Sequence, residues 1–281
     1  MKRVVLLAAA LALHLVPRAA GAQTTRPWLE WRTVRTGHFD VHYPAELEAW
    51  ARDAASRLDA VHAAVTPLVG SAPAARVTVV IDDPAGEING SAYSFLRTPY
   101  IQLYPTPPDA RSPLANTRNY TEQLAIHEFA HVAHLTRPSR RRVLLRGLTL
   151  DPRGTGPIPR QAPRWVREGY ATYVEGRLTG SGRPYSAVRA AVLRQWALEG
   201  RIPPYGQLDA LTGGYQAGGT AYLAGSAFLE WLAARQGDET LVHLWRRMSA
   251  RQARPFAEAF RGVYGGTPQE LYGLFTVELT A

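Results

Sequence analysis

Residues 127–131 read His127-Glu128-Phe129-Ala130-His131. In a helix, positions four apart lie one turn from each other on the same face, so both imidazoles point the same way. Two imidazoles so placed suit one zinc ion, and Glu128 stands beside them as a candidate acceptor for a proton from an activated water. The flanking sequence predicts the helix that this geometry needs. Tyr120–Leu135 sets Leu124, Phe129, Val132 and Leu135 among alanines, the pattern of a buried or half-buried helix. Asn119 or Thr121 is available as N-cap, and Glu122 falls in the first turn, where the helix dipole favours negative charge. Pro138 ends the pattern.

A catalytic zinc site typically has three protein ligands and an open position, so two histidines leave one ligand to find. Downstream lies Trp165-Val166-Arg167-Glu168-Gly169-Tyr170-Ala171-Thr172-Tyr173-Val174-Glu175. Glu168 and Glu175 are spaced by two helical turns and share a face. A buried carboxylate needs a partner, and a metal ion is one such partner; a solvated helix face is the alternative.

Outward from these two stretches, the chain changes character. Before the pentapeptide, Phe39–Tyr43 alternates as a strand does, and Arg76–Ile81 and Tyr100–Tyr104 are further strand candidates. Glu46–Val69 reads as a long amphipathic helix closed by Gly70. Gln23–Arg35 reads as an irregular lead-in and Asp82–Thr98 as a turn-rich loop. After the pentapeptide the pattern is helical: Gln161–Arg177, Tyr185–Leu198, Gly219–Arg235, Glu239–Arg251 and Pro255–Val263. A last helix opens on Thr267-Pro268-Gln269-Glu270, a capping box with proline at the first helical position. Strands first and helices later give an α+β fold.

Met1–Ala22 has the layout of a secretory signal peptide. Lys2 and Arg3 precede an apolar run over Val4–Leu13, and Ala20-Gly21-Ala22 supplies small residues before Gln23. The run is too short to span a bilayer comfortably, so the expected protein is exported, periplasmic or secreted, with no stable membrane insertion after cleavage. Residues 23–281 then form the mature domain, divided at 135/136 into a sheet-containing part and a mainly helical part. The 281 residues include no cysteine, so export brings no disulfides. The formal charge is +9, and loss of Lys2, Arg3 and Arg18 lowers it to +6. Lys2 is the only lysine; an arginine- and alanine-rich composition of this kind is expected from the codon bias of a GC-rich bacterium, and no nucleic-acid partner is inferred from the charge.

The motif pair His-Glu-x-x-His and Trp-x-x-Glu-Gly-x-Ala-x-Tyr-x-Glu resembles the gluzincin metallopeptidases, the group of thermolysin and the M1 aminopeptidases, and more narrowly the bacterial peptidase MA-like domains. Thr36-Gly37-His38-Phe39 is similar to the first-strand entry of such domains. The resemblance implies a zincin-like fold with an N-terminal mixed β-sheet lobe, an active-site helix and a C-terminal helical lobe. It implies Zn2+ held by His127, His131 and Glu168, with Glu128 as general base for hydrolysis of a peptide or protein substrate. Glu175 matches an acidic position that hydrogen-bonds a ligand histidine. Thr172 stands where the thermolysin branch has an aspartate, so the pattern sides with M1. Tyr222, in Tyr222-Leu223-Ala224-Gly225, matches the tyrosine that stabilises the oxyanion, with Tyr215 as fallback.

By the same resemblance an edge strand beside the metal pairs with the extended substrate, and Tyr100–Tyr104 is the candidate. The Gly-x-Met-Glu-Asn motif with which M1 aminopeptidases hold the substrate amine is missing, and Glu87-Ile88-Asn89-Gly90 is no convincing substitute, which favours an endopeptidase. A domain that keeps the fold but only binds or assembles is the rival expectation. His134 shares the face of His127 and is expected to lie under the site rather than ligate; His38, His42, His62 and His243 lack ligand spacing. The segment 137–160, with Arg137, Arg140, Arg141, Arg142, Arg146, Arg153 and Arg160, reads as a solvated insertion, or as a collector of acidic peptides or lipid head groups.

Overall fold

A computed structural model describes residues 26–281 except 85, 96–97, 111, 113, 141–155, 212–216 and 253. The signal-like segment 1–22, Tyr215 and most of the arginine-rich insertion lie outside the described residues. Among those described, no helix is long and apolar enough to cross a membrane.

Five strands form one sheet in the order β1-β2-β3-β5-β4: β1 (Trp31–Arg35), β2 (Phe39–Pro44), β3 (Val77–Ile81), β4 (Gly90–Phe95) and β5 (Thr98–Leu103). The central pairs β2/β3 and β3/β5 are parallel, and both edge strands run antiparallel to their neighbours. Alternation places Phe39, Val41 and Tyr43 of β2, and Val77, Val79 and Ile81 of β3, in the core. These strands follow their sequence expectation.

The edge strands were not legible. β1 is an exposed Trp-Arg-Thr-Val-Arg run within the expected irregular lead-in. β4, Gly-Ser-Ala-Tyr-Ser-Phe, has no β-branched residue and lies in the expected loop. Both owe their conformation to backbone pairing with a neighbour rather than to side-chain pattern. β4 also corrects the assignment of the edge strand: Tyr100–Leu103 belongs to β5, which is internal between β3 and β4, so the free edge belongs to β4.

Helix α1 (Glu48–Val69) buries Ala51, Ala54, Ala55, Leu58, Val61, Val65 and Val69, spaced at three and four residues, and ends at Gly70 with φ 69°. It packs on β2 and on α2 (Tyr120–Thr136). The Asn119 side chain caps α2 by accepting from Glu122 N at 2.8 Å, and α2 stops at Thr136, before Arg137 turns out of the helix ahead of Pro138. Most of α2 is buried, because it lies between the sheet, α1 and α4.

The expected helix from Gln161 is two pieces, α3 (Pro157–Gln161) and α4 (Arg164–Thr179), divided at Ala162-Pro163. Proline cannot donate an N–H into the helix, so α4 starts afresh behind it. The remaining helices are α5 (Ala187–Leu198), α6 (Ser226–Gln236), α7 (Glu239–Met248), α8 (Phe256–Tyr264) and α9 (Pro268–Thr280). The Thr267/Glu270 capping box opens α9 as expected. The start of the expected 219–235 helix is instead a π-helical turn, Ala221–Gly225, running into α6. The sheet, the helix that carries His127 and His131, and the helical part that follows together form the expected α+β architecture.

Candidate metal centre and cleft

His127 and His131 of α2 and Glu168 of α4 converge, as the two motifs predict. His127 Nε2 and His131 Nε2 are 3.2 Å apart, and Glu168 Oε2 lies 3.2 Å from His131 Nε2 and 3.8 Å from His127 Nε2. Donors about 2.05 Å from a tetrahedral zinc stand roughly 3.3 Å from each other. The two-imidazole, one-carboxylate set therefore fits Zn2+ in both chemistry and spacing. Burial pushes the Glu168 carboxyl up, but the two histidines hold it well below the usual range, so it is an anion ready to ligate.

Glu175, two turns on, is fully buried. Its Oε2 stands 3.1 Å from His127 Nδ1, on the far side of the ring from the metal donors. Metal ligation through Nε2 leaves the proton on Nδ1, and Glu175 is placed to accept it. Glu175 does not act alone. Arg183 donates to it from its backbone N (3.0 Å), from Nε (3.1 Å) and from Nη2 (2.9 Å). Burial opposes ionisation of Glu175, yet Arg183 and then His127 bring its carboxyl down to about 2. Gly182 makes the wrap possible: its φ is 82°, and a Cβ there would stand 3.0 Å from Glu175 Oε1.

Arg183 was not singled out in the sequence. The requirement that a buried carboxylate have a cationic partner points toward it. A chain with 32 lysine and arginine residues offers too many choices for that signal to decide.

Glu128 is 2% exposed, and its Oε2 has no hydrogen-bond partner among the described residues. Burial pushes its carboxyl up to about 7, with His131 and Arg183 opposing and Glu168 and Glu175 adding. A divalent cation at the neighbouring donors would oppose the rise further. Gly90 of β4 lies directly against Glu128: a Cβ there would be 2.8 Å from Glu128 Cγ. The edge strand therefore runs beside this carboxylate, where β5 was expected.

Tyr222 sits in the π-helical turn, a backbone form that often marks functional sites. Gly169, the residue after Glu168, explains how the turn comes so close. A Cβ on Gly169 would be 2.8 Å from Gly225 C, so α4 and the turn meet backbone to backbone. The phenol ring lies under two guanidinium groups, Arg183 Cζ at 4.8 Å and Arg164 Cζ at 5.2 Å from its centroid. Burial, with Glu168 next, holds the hydroxyl up at about 12, so it is a donor at neutral pH.

His134 is not among the metal donors. It is buried between Tyr170 and Trp245, ring centroids 4.7 and 4.5 Å away. Neither ring nitrogen has a hydrogen-bond partner among the described residues. Of the other histidines, His38 pairs with Asp59 (3.1 Å) and stacks on His62 (3.8 Å), and His42 meets Thr33 Oγ1 (2.8 Å). The metal donors, Glu128, Tyr222, Asn89 and the β4 residues Gly90 to Tyr93 line one cleft of about 250 Å3.

No protein-family model matches the chain, and no curated protein matches it. Solved structures do. The native yeast LTA4 hydrolase structure aligns with a TM-score of 0.52 at 12% identity, over 87% of this chain and 38% of that one. An M1 zinc metallopeptidase from Deinococcus radiodurans aligns with a TM-score of 0.46 at 17% identity, over 88% of this chain and 51% of that one. The chain thus spans about half or less of the length of these enzymes. The likeness to the yeast enzyme shows a shared fold, and the donor geometry defines the site as one fit for zinc.

Proposed function

We propose that this chain is an exported, zinc-dependent peptidase, and the convergence of His127, His131 and Glu168 beside the unpaired Glu128 carries the reading. Zinc, when bound, supplies Lewis acidity that makes a water nucleophilic near neutral pH. Glu128 accepts the proton of the attacking water and passes it to the leaving amine nitrogen. Tyr222 donates a hydrogen bond to the oxygen on which negative charge develops. Glu175, held by Arg183, fixes the tautomer and orientation of His127. The free edge of β4 pairs with the substrate backbone in extended form, which sets its direction.

An internal cut is the favoured outcome, because Asn89 and the β4 residues Gly90 to Tyr93 bring no carboxylate to hold a substrate amine. Export rests on the Met1–Ala22 pattern. The rival, a binding module without turnover, has less support, since base, metal donors and oxyanion donor share one cleft.

Digestion of a peptide library with and without a chelator, with cut sites mapped by mass spectrometry, tests the proposal. Internal cuts that vanish with chelator and in Glu128→Gln support it. A zinc-loaded wild type that cuts nothing supports the binding module instead.

A further inference from the structure

Arg167 stands one residue before Glu168 on α4, and its side chain lines the same cleft as the metal donors and Glu128. A guanidinium carries a fixed positive charge and five N–H donors. Other buried arginines of the chain have acceptors: Arg183 holds Glu175, Arg189 reaches Glu230, and Arg137 donates to Ser249 Oγ and Val69 O. Arg167 has no side-chain partner among the described residues, and its Nε is buried without an acceptor. A half-buried guanidinium left in that state is unfavourable until an acceptor arrives.

Among the described residues the cleft offers it no free carboxylate. Its carboxylates are Glu128 and Glu168, both engaged in the chemistry above. A divalent cation balances that pair and leaves Arg167 as surplus positive charge. His134, lining the same cleft, takes no share of the compensation. Burial, reinforced by His131, Arg137 and Arg167, pushes it well below the usual imidazole range and keeps it neutral. The complementary group must therefore be an anion that enters with the substrate.

We infer that Arg167 is a specificity-determining residue that binds a substrate carboxylate, from an acidic side chain or the peptide C terminus, in the metal cleft. This rests on the peptidase reading. A carboxylate matches the planar guanidinium fork, which grips both oxygens at once. Because Arg167 is mounted on the helix that carries a metal ligand, the anchored carboxylate keeps a fixed separation from the scissile bond. The acidic group then recurs at one position relative to the cut.

The test uses short alanine-rich peptides bearing one glutamate or one glutamine, each with a free or an amidated C terminus. Wild type and Arg167→Gln are compared for kcat/KM and zinc content. Binding of the same peptides, fluorescein-labelled, is measured by anisotropy on zinc-loaded Glu128→Gln with and without Arg167→Gln. The expected result is a preference of about tenfold or more for the carboxylate-bearing peptide, in cleavage and in binding, that disappears with Arg167→Gln while zinc content holds. A preference that survives amidation assigns the side chain, and one that amidation abolishes assigns the C terminus. Equal handling of all four peptides, or a preference untouched by Arg167→Gln, overturns the inference. If the wild type cleaves none, the peptidase reading fails, and the anisotropy ratio alone decides the carboxylate contact.

Discussion

Glu175 Oε2 and His127 Nδ1 lie 3.1 Å apart, on the side of the imidazole opposite the donors Glu168 and His131. The carboxylate sets which nitrogen of His127 is left to bind metal, and Arg183 sets the carboxylate. Loss of such a partner typically costs ten- to a hundredfold in metal affinity. Glu175→Gln is expected to weaken zinc binding by about 10–100-fold, measured by competition with a calibrated chelator. Unchanged affinity would remove Glu175 from the site.

Arg183→Leu removes the guanidinium and leaves the buried Glu175 charge with the backbone N of residue 183, Gln123 and His127 but no fixed positive charge beside it. Breaking a buried pair from one side costs about 3–5 kcal/mol. Urea unfolding of the zinc-free variant should show a loss of that order. A loss below about 1 kcal/mol would mean that the pair is hydrated in solution.

Gly90→Ala tests the position of the edge strand. The new methyl would stand 2.8 Å from Glu128 Cγ, 3.0 Å from its Oε1 and 3.1 Å from the Gln102 carbonyl oxygen, so the Glu128 side chain must shift. Zinc content should hold, while kcat falls by up to about a hundredfold, the scale for a misplaced catalytic group. Wild-type kcat in Gly90→Ala would place β4 away from the chemistry.

Tyr222→Phe removes a hydroxyl and little else. The expected loss is about 10²–10³-fold in kcat, as for other oxyanion donors, with zinc content unchanged. A kcat within about twofold of wild type would assign the ring to packing between Arg164 and Arg183.

The strand-entry turn supplies a prediction for pH. Asp59 accepts from Thr36 Oγ1, from the backbone N of Gly37 and His38, and lies 3.1 Å from His38 Nδ1. Burial raises its carboxyl, but these donors outweigh burial and the net shift is downward. A lowered carboxylate adds stability above its unfolded pKa and loses it as pH falls through the folded value. The Asp59 side chain is 44% exposed, so solvent screening holds the gain to about 1 kcal/mol or less. Wild type should exceed Asp59→Asn in stability at pH near 7, and the gap should close on acidification below about pH 4. A gap that widens in acid would contradict this sign.

The sequence carried the parts of the site that lie on periodic elements. The spacing of His127 and His131, and of Glu168 and Glu175, is a helical property, and Asn119 and Gly70 mark helix ends by backbone chemistry that acts locally. What was illegible depends on contacts made across the chain. β1 and β4 are strands because a neighbour pairs with them; Trp31–Arg35 and Gly90–Phe95 carry little alternation of their own. Assigning the free edge to Tyr100–Tyr104 failed for that reason: the order β3-β5-β4 puts the later strand inside the sheet. Arg183 reaches His127 across 56 positions of sequence, and no local pattern announces it.

Zinc stoichiometry across a small set of variants tests the central assignment most directly. Purified wild type and Glu128→Gln should each hold about one zinc per chain, while His131→Ala and Glu168→Ala should lose it on the same dialysis. Full zinc retention by Glu168→Ala, or no zinc in the wild type, would contradict the three-donor centre on which the proposed chemistry stands.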